Sequence, residues 1–146
     1  MKKILSLIVI LFLLNNTIFP QNNERHEKIK VPAIVKSSLY KKYPNAKNVT
    51  WEKEDGNYEA NWGGKSGEDN SVQFKPDGNF IEIVQAIPVN KLPESIIMYV
   101  NKHYKGSKIT EAGNVTDAEG NTFYEVQIKG KDFIFNENGK FVKAEK

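Results

Sequence analysis

A turn motif that occurs twice constrains the fold of this 146-residue chain more than any other feature. The segments Phe74–Phe80 and Phe135–Phe141 each place a glycine after Asp or Asn, between two apolar runs. Asp-Gly and Asn-Gly supply the positive φ that a tight turn between antiparallel strands needs. We therefore expect one supersecondary unit encoded twice, and a turn rather than a catalytic or binding site at each motif.

Apolar residues recur at helical spacing before each copy of the turn. The spacing predicts a helix from Val31 to Tyr43, where Pro44 ends it, and a second helix beginning at Leu92. Each member of the second stripe follows its counterpart by the same number of residues, which supports a duplication. The stripes are Val31, Val35, Leu39 and Tyr43, and then Leu92, Ile96, Val100 and Tyr104.

After each helix the apolar period changes to two, which predicts four strands per copy. Extra residues in the second copy are assigned to a hairpin loop around Asn114 to Gly120. The expected fold class is α+β: two tandem α-β-β-β-β repeats forming an antiparallel sheet with helices packed on one face. The repeats are expected at residues 31–86 and 87–146.

The alternation divides the predicted sheet into an apolar face and a polar face. Trp51 and Trp62 are in phase with apolar neighbours, so we expect them in the core rather than at an interface. The opposite face is expected to be solvated, and it is the largest candidate surface for a partner. An ordinary solvated face without a partner is the competing interpretation. The candidate partner-binding residues are Glu52, Glu59, Asn61, Gln73, Glu125, Gln127 and Lys129.

The N-terminus is typical of a cleaved secretory signal. A basic start, Met1–Lys3, precedes an apolar run from Ile4 to Leu14 that is too short to span a bilayer. We expect a signal peptide at residues 1–21, a flexible leader at 22–30 and a periplasmic or extracellular protein without stable membrane insertion. The chain has no Cys, which excludes a lipoprotein signal and disulfides, so the core alone must hold the exported domain.

The charge gives no indication of nucleic-acid binding. Loss of Lys2 and Lys3 with the signal lowers the formal net charge from +3 to +1. The remaining basic residues are interspersed with acidic ones instead of clustering on one stretch.

No catalytic or metal-binding constellation is evident, so we expect a non-enzymatic protein without a cofactor. The two histidines are His26, in the leader, and His103, near a helix end. The chain has no Cys nucleophile and no Gly-x-Ser-x-Gly elbow. The segment from Asp117 to Gly120 fails as a calcium loop, because Val115 and Val126 occupy positions where oxygen ligands are required.

Several segments together resemble the PepSY-like, beta-lactamase-inhibitor-like family of exported bacterial proteins. They are Val31-Pro32 before a short helix ending in Tyr43-Pro44, Val49–Glu52, Gly56–Ala60 and the Phe-x-x-Asp-Gly turn. The resemblance extends from Val31 to the C-terminus and implies tandem repeats with helices on one face of a continuous sheet. It also implies an inhibitor-like use of a concave sheet face, or restraint of a peptidase, although no inhibitory residues match.

Two functional hypotheses follow. The first is an exported binding module that uses its sheet face to bind a protein in the cell envelope, and that inhibits a peptidase or another envelope enzyme. The alternative is a small-ligand carrier or envelope-stress protein with a pocket between helices and sheet. Trp62, Gly63-Gly64 and Tyr99 would line that pocket.

Overall fold

The computed structural model describes residues 29–144. The predicted signal peptide at 1–21 and all but the last two residues of the predicted leader therefore lie outside the described residues. Ile29 and Lys30 are exposed and precede the first helix.

Eight strands form one antiparallel sheet in which every strand pairs with its neighbours in sequence. A helix precedes each group of four strands, as the repeated pattern predicts. The elements are α1 (Ala33–Lys42), β1 (Thr50–Glu54), β2 (Asn57–Trp62), β3 (Asn70–Phe74), β4 (Phe80–Ala86), a 3₁₀ turn (Val89–Lys91), α2 (Glu94–His103), β5 (Ile109–Asp117), β6 (Thr122–Ile128), β7 (Lys131–Asn136) and β8 (Phe141–Ala144).

Each helix buries its apolar stripe against the sheet of its own repeat. In α1 the buried residues are Val35 and Leu39, and in α2 they are Ile96 and Val100. The two core clusters contain Tyr58, Ala60, Val72, Phe74 and Ile83 in the first repeat, and Ala112, Val126, Ile128, Phe133 and Phe135 in the second. The strand residues alternate in register, so both helices lie on one face. The predicted α+β tandem fold is confirmed.

The two tryptophans belong to the helix-bearing side of the sheet, as expected. Trp51 and Trp62 are partly buried and pack against the first core cluster. The ring of Trp62 lies 5.4 Å from the ring of Tyr43, which follows α1. The apolar surface of both tryptophans therefore packs in the core and stabilises the fold, and it does not form an exposed binding patch.

The repeated turns contact the helices, which gives the repeated glycine a second role. Gly78 and Gly139 both have positive φ, 82° and 73°. A Cβ added at Gly78 would lie 3.2 Å from the carbonyl oxygen of Ile34 in α1. A Cβ at Gly139 would collide with the Ser95 hydroxyl at the start of α2. Each repeat thus closes its last hairpin against its own helix.

The expected loop at Asn114–Gly120 is wrong. β5 continues through Asp117, and only the turn from Asp117 to Asn121 separates it from β6. The extra residues of the second repeat therefore lengthen a hairpin, with β5 nine residues long and β1 five. Val115 is the single apolar residue of Asn114–Asp117, a pattern that fits the end of a strand as well as a loop.

The polar face is concave. Glu59, Gln73 and Glu82, on adjacent strands of this face, are only 5%, 4% and 2% exposed, although both helices pack on the other side. Three irregularities in register interrupt the ladders, at Gln73/Phe74, Ile109/Glu111 and Ile134/Phe135. Such bulges bend strands and increase their twist, so a sheet of eight strands curls until side chains on the inside shield one another.

Candidate binding site on the polar sheet face

Most of the sequence-predicted partner-binding residues share the polar face. Pairing places Glu52 opposite Glu59, Glu59 opposite Gln73, and Asn61 one pleat away on β2. In the second repeat Glu125 and Gln127 lie on the same side of β6. The sequence pattern therefore identified the face correctly.

The expected solvation of these side chains is wrong for four of them. Glu59, Asn61, Gln73 and Glu125 are buried, whereas Gln127 is half-buried and Glu52 is exposed. Hydrogen bonds hold part of the group together, because Asn61 Nδ2 donates to Glu59 Oε1 at 3.1 Å. Gln73 Nε2 lies 3.3 Å from Glu59 Oε2 and 3.3 Å from Glu54 Oε2. The curvature of the sheet helps to enclose this face, and the alternation of polar and apolar residues in the sequence does not reveal that curvature.

Lys129 is not part of this face. β6 ends at Ile128, and Lys129 occupies the exposed β6–β7 turn with a φ of 54°. The turn interrupts the alternation that had placed Lys129 in phase with Gln127. Without Lys129, the sequence-predicted partner-binding group contains no basic residue.

A row of polar residues, four of them acidic, crosses the first five strands at one level. The row consists of directly opposed neighbours: Glu52, Glu59, Gln73, Glu82 and Asp117. We call it the acidic row. Carboxylates directly opposite each other on neighbouring strands are unfavourable unless other groups compensate. Glu111, Gln127 and Asp132 form a shorter series across β5, β6 and β7.

A cavity of ≈ 440 Å³ opens on the polar face, where the loop between β2 and β3 and the segment after β4 form its walls. Among residues 29–144, no Lys, Arg or His lines it. Its apolar floor includes Val84 and Ala86. Seven carboxylates line it: Glu52, Glu59, Glu68, Asp69, Glu111, Glu125 and Asp132.

The carboxylates perturb one another across the cavity. Burial raises the pKa of Glu52 above its ordinary value, and the charges of Glu59 and Glu68 raise it further. Burial also raises the pKa of Glu111, with a second contribution from the charge of Glu68. Glu52 and Glu111 belong to different repeats, so Glu68, in the β2–β3 loop, couples the two halves of the site electrostatically.

The cavity wall also carries a hydroxyl. Ser71 on β3 lines the cavity and is 7% exposed. Within the described part of the chain its hydroxyl makes no hydrogen bond, and its oxygen is not among the fully buried atoms without a partner. The Ser71 hydroxyl is therefore open to the cavity and available to a molecule that enters it.

The alternative pocket between helices and sheet is not where the cavity lies. Trp62 packs against Tyr43, and Tyr99 stacks on His103 and Phe141 with ring centroids 4.4 Å and 5.1 Å away. Tyr99 does line an open cleft of ≈ 510 Å³, but that cleft is formed by residues of α2 alone. Of the expected loop, the residues after Gly63-Gly64 reach the cavity instead, on the polar face.

Sequence reasoning missed the residues that enclose the cavity. Glu68 and Asp69 lie in a loop, where no periodicity indicates a direction. Glu111 follows the bulge at Thr110, which shifts the phase of β5. Asp132 lies next to a turn, at the second residue of β7, where too few strand residues precede it to show an alternation. Alternation within β5 and β7 was the only sequence signal for Glu111 and Asp132.

Among residues 29–144, no group of three or more His, Cys, Asp or Glu side chains is arranged to hold a metal ion. The same part of the chain contains no helix that is long and apolar enough to cross a membrane.

Comparison with known proteins identifies the same fold elsewhere. A protein described as one of the "putative periplasmic proteins", from Bacteroides eggerthii, shares 18% identity with a TM-score of 0.68, covering 80% of this chain and 88% of the other. A BLIP-like protein from Bacteroides fragilis shares 21% identity with a TM-score of 0.61, covering 80% and 86%. No curated protein matches the sequence.

The model of one family matches the sequence twice, at residues 22–81 and 62–143. The two matches overlap and together span both helices and nearly all of the sheet, as expected for a tandem repeat. The chain therefore belongs to the PepSY-like family described as "Putative beta-lactamase-inhibitor-like, PepSY-like".

Proposed function

We propose that this protein is an exported, non-enzymatic binding module that holds a protein partner of the cell envelope on its concave polar face. The observation that carries the proposal is the cavity of ≈ 440 Å³ on a face that neither helix covers. Concave sites with an apolar floor and a few convergent polar groups are the usual form of binding sites. Two solved structures with the same fold support this proposal, since one is described as BLIP-like and the other as periplasmic.

In its finer form, the proposal is that occupation of this face inhibits a peptidase or another envelope enzyme. The family description names a beta-lactamase-inhibitor-like protein, and the concave sheet face is the surface such a protein would present. The sequence-predicted residues that line the cavity are Glu52, Glu59, Asn61, Glu125 and Gln127. Among them, Glu59 and Asn61 are buried and joined by a hydrogen bond.

Site-specific photocrosslinking tests the proposed face directly. A photoreactive amino acid replaces Ser66, an exposed cavity residue, and in a matched control it replaces Lys36, an exposed residue of α1. After irradiation in the native envelope, we expect a discrete protein adduct from position 66 and none from position 36. Adducts of equal yield at both positions, or at position 36 alone, would show that the partner does not use the polar face.

A small-ligand carrier is the second candidate, and the cavity volume favours it. Cavities of about 300–1,000 Å³ commonly hold small organic ligands. Thermal-shift screening of envelope metabolites and glycans separates this candidate from the first, because a cavity ligand stabilises the folded protein in the absence of any second protein. Stabilisation that disappears in a Val84→Trp variant, which fills the cavity floor, would establish the carrier.

A further inference from the structure

The chemistry of the polar face restricts what it can hold. The acidic row joins β1 to β5, and the series Glu111, Gln127 and Asp132 runs from β5 to β7. Lys143, on the edge strand β8, is the lysine that pairing places on this side of the sheet. The chain without the signal lysines has a formal net charge of +1 although the six carboxylates of the acidic row and this series contribute −6, so the positive charge lies elsewhere on the molecule.

An acidic surface of this kind attracts cations. The acidic row and the series Glu111, Gln127 and Asp132 do not form one continuous track, because they meet β5 at positions six residues apart. Of the acidic row, Glu52 is exposed and the other four residues are buried, so the carboxylates that a partner can reach are those that line the cavity. A single metal ion or amine would neutralise only part of the charge of these seven carboxylates, and the described carboxylates form no metal cluster.

The cavity provides a defined position within this surface. Glu52, Glu68 and Glu111 surround it from two strands and a loop, and the Ser71 hydroxyl, which makes no hydrogen bond within residues 29–144, opens into it. A lysine ammonium or an arginine guanidinium placed here would meet carboxylates and could donate a hydrogen bond to Ser71 Oγ. The apolar floor at Val84 and Ala86 would accommodate the methylene stem of that side chain.

We infer that the polar face binds a basic segment of a partner polypeptide, with one lysine or arginine side chain inserted in the cavity beside Ser71. This inference rests on the proposed function and names the chemistry of the partner. Charge complementarity accelerates encounter and selects among partners, so it is suited to a module that must find one protein in a crowded envelope.

Fluorescence anisotropy with synthetic peptides tests the inference on the exported protein. The probe is a labelled nonapeptide in which Lys alternates with Thr, and its matched control replaces every Lys with Glu. We expect saturable binding of the Lys peptide only, which weakens as salt is raised from low to physiological ionic strength. Equal binding of both peptides, or of neither, overturns the inference.

Two triple variants provide the matched control. Glu52→Gln, Glu68→Gln and Glu111→Gln together remove three charges from the cavity wall, and we expect affinity for the Lys peptide to fall about tenfold. The control variant carries the same change at Glu94, Glu119 and Glu137, which are exposed and do not line the cavity. The control variant should lose less than threefold in affinity for the Lys peptide. Equal losses in both variants would show that only net charge matters and would overturn the inference.

Ser71→Ala and small cations complete the experiment. The Ser71→Ala variant should lose about threefold in affinity, the value of one hydrogen bond, with unchanged far-ultraviolet circular dichroism. Spermidine and calcium chloride are titrated as competitors, and full displacement by either at a concentration below that of the peptide would assign the face to a small cation instead. If the peptides fail while position 66 still crosslinks a protein, the inference is wrong and the proposed function stands.

Discussion

Replacement of Gly139 by alanine tests whether the repeated turn motif is maintained by helix contact as well as by backbone conformation. Gly139 and Gly120 are turn glycines of the second repeat with positive φ, 73° and 84°. A Cβ at Gly120 would meet nothing within 4 Å. A Cβ at Gly139 would collide with Ser95 Oγ and would lie 3.2 Å from Ser95 Cβ and 3.3 Å from Ile96 Cγ1.

Gly120→Ala and Gly139→Ala have one energetic cost in common, and Gly139→Ala has a second. An alanine held at left-handed φ costs roughly 1–2 kcal/mol, and this applies to both positions. Overpacking adds about 1–3 kcal/mol where the new methyl group has no space, which applies to Gly139 alone. We therefore expect Gly120→Ala to lower the free energy of unfolding by about 1–2 kcal/mol, and Gly139→Ala by about 2–5 kcal/mol.

A double variant isolates the contact. Ser95 Oγ donates a hydrogen bond of 3.4 Å to the Asn138 carbonyl oxygen, so Ser95→Ala alone should cost no more than about 1 kcal/mol. In the Gly139→Ala background the same change removes the nearest colliding atom, and it should cost less or become stabilising. Urea unfolding at 25 °C gives each free energy from the midpoint and slope. Equal costs at Gly120 and Gly139, or strict additivity with Ser95→Ala, would refute the proposed contact.

Two further predictions concern the core and the polar face. Val126→Ala, at a fully buried position of β6, should destabilise by about 2 kcal/mol through lost burial and the resulting cavity, whereas Val142→Ala, at a 50% exposed position, should change urea stability by less than about 0.5 kcal/mol. The pKa values of Glu52 and Glu111 are raised, so their contribution to stability is complete below pH 4.5 and is lost as the pH rises through the raised values. Glu52→Gln with Glu111→Gln should therefore stabilise the protein at pH 7, by about 0.5 kcal/mol per site, and leave it unchanged at pH 4 in thermal unfolding. A gain of the same size at both pH values, or in the control pair Glu119→Gln with Glu137→Gln, would contradict this account.

The sequence predicted the fold well because its signals are local and occur twice. The spacing of Val35 and Leu39, repeated by Ile96 and Val100, suffices to place both helices, and Asp77-Gly78 and Asn138-Gly139 suffice to place two turns. Contacts between elements were beyond such reasoning. The turn glycines carry positive φ as predicted, but their proximity to α1 and α2 depends on how the sheet curves beneath the helices.

The candidate site was predicted only in part, for the same reason. Alternation assigned Glu59, Gln73 and Glu125 to the polar face but gave no measure of curvature, so their burial was unexpected. Period-two patterns also fail where a strand bulges or ends, which explains the omission of Glu111 and the inclusion of Lys129. Loop residues such as Glu68 follow no alternation, so the sequence does not indicate which face of the sheet they approach.

The energetics of the polar face support the proposed binding role. Glu52 faces Glu59 and Glu82 faces Asp117 on neighbouring strands, although the Asp117 carboxylate also accepts hydrogen bonds within its own turn. Opposed like charges reduce stability, and partial enclosure strengthens their repulsion. Burial raises the pKa of Glu52, and the neighbouring charges of Glu59 and Glu68 raise it further. A cationic partner relieves the repulsion on binding, so the same arrangement that weakens the isolated fold would strengthen the complex.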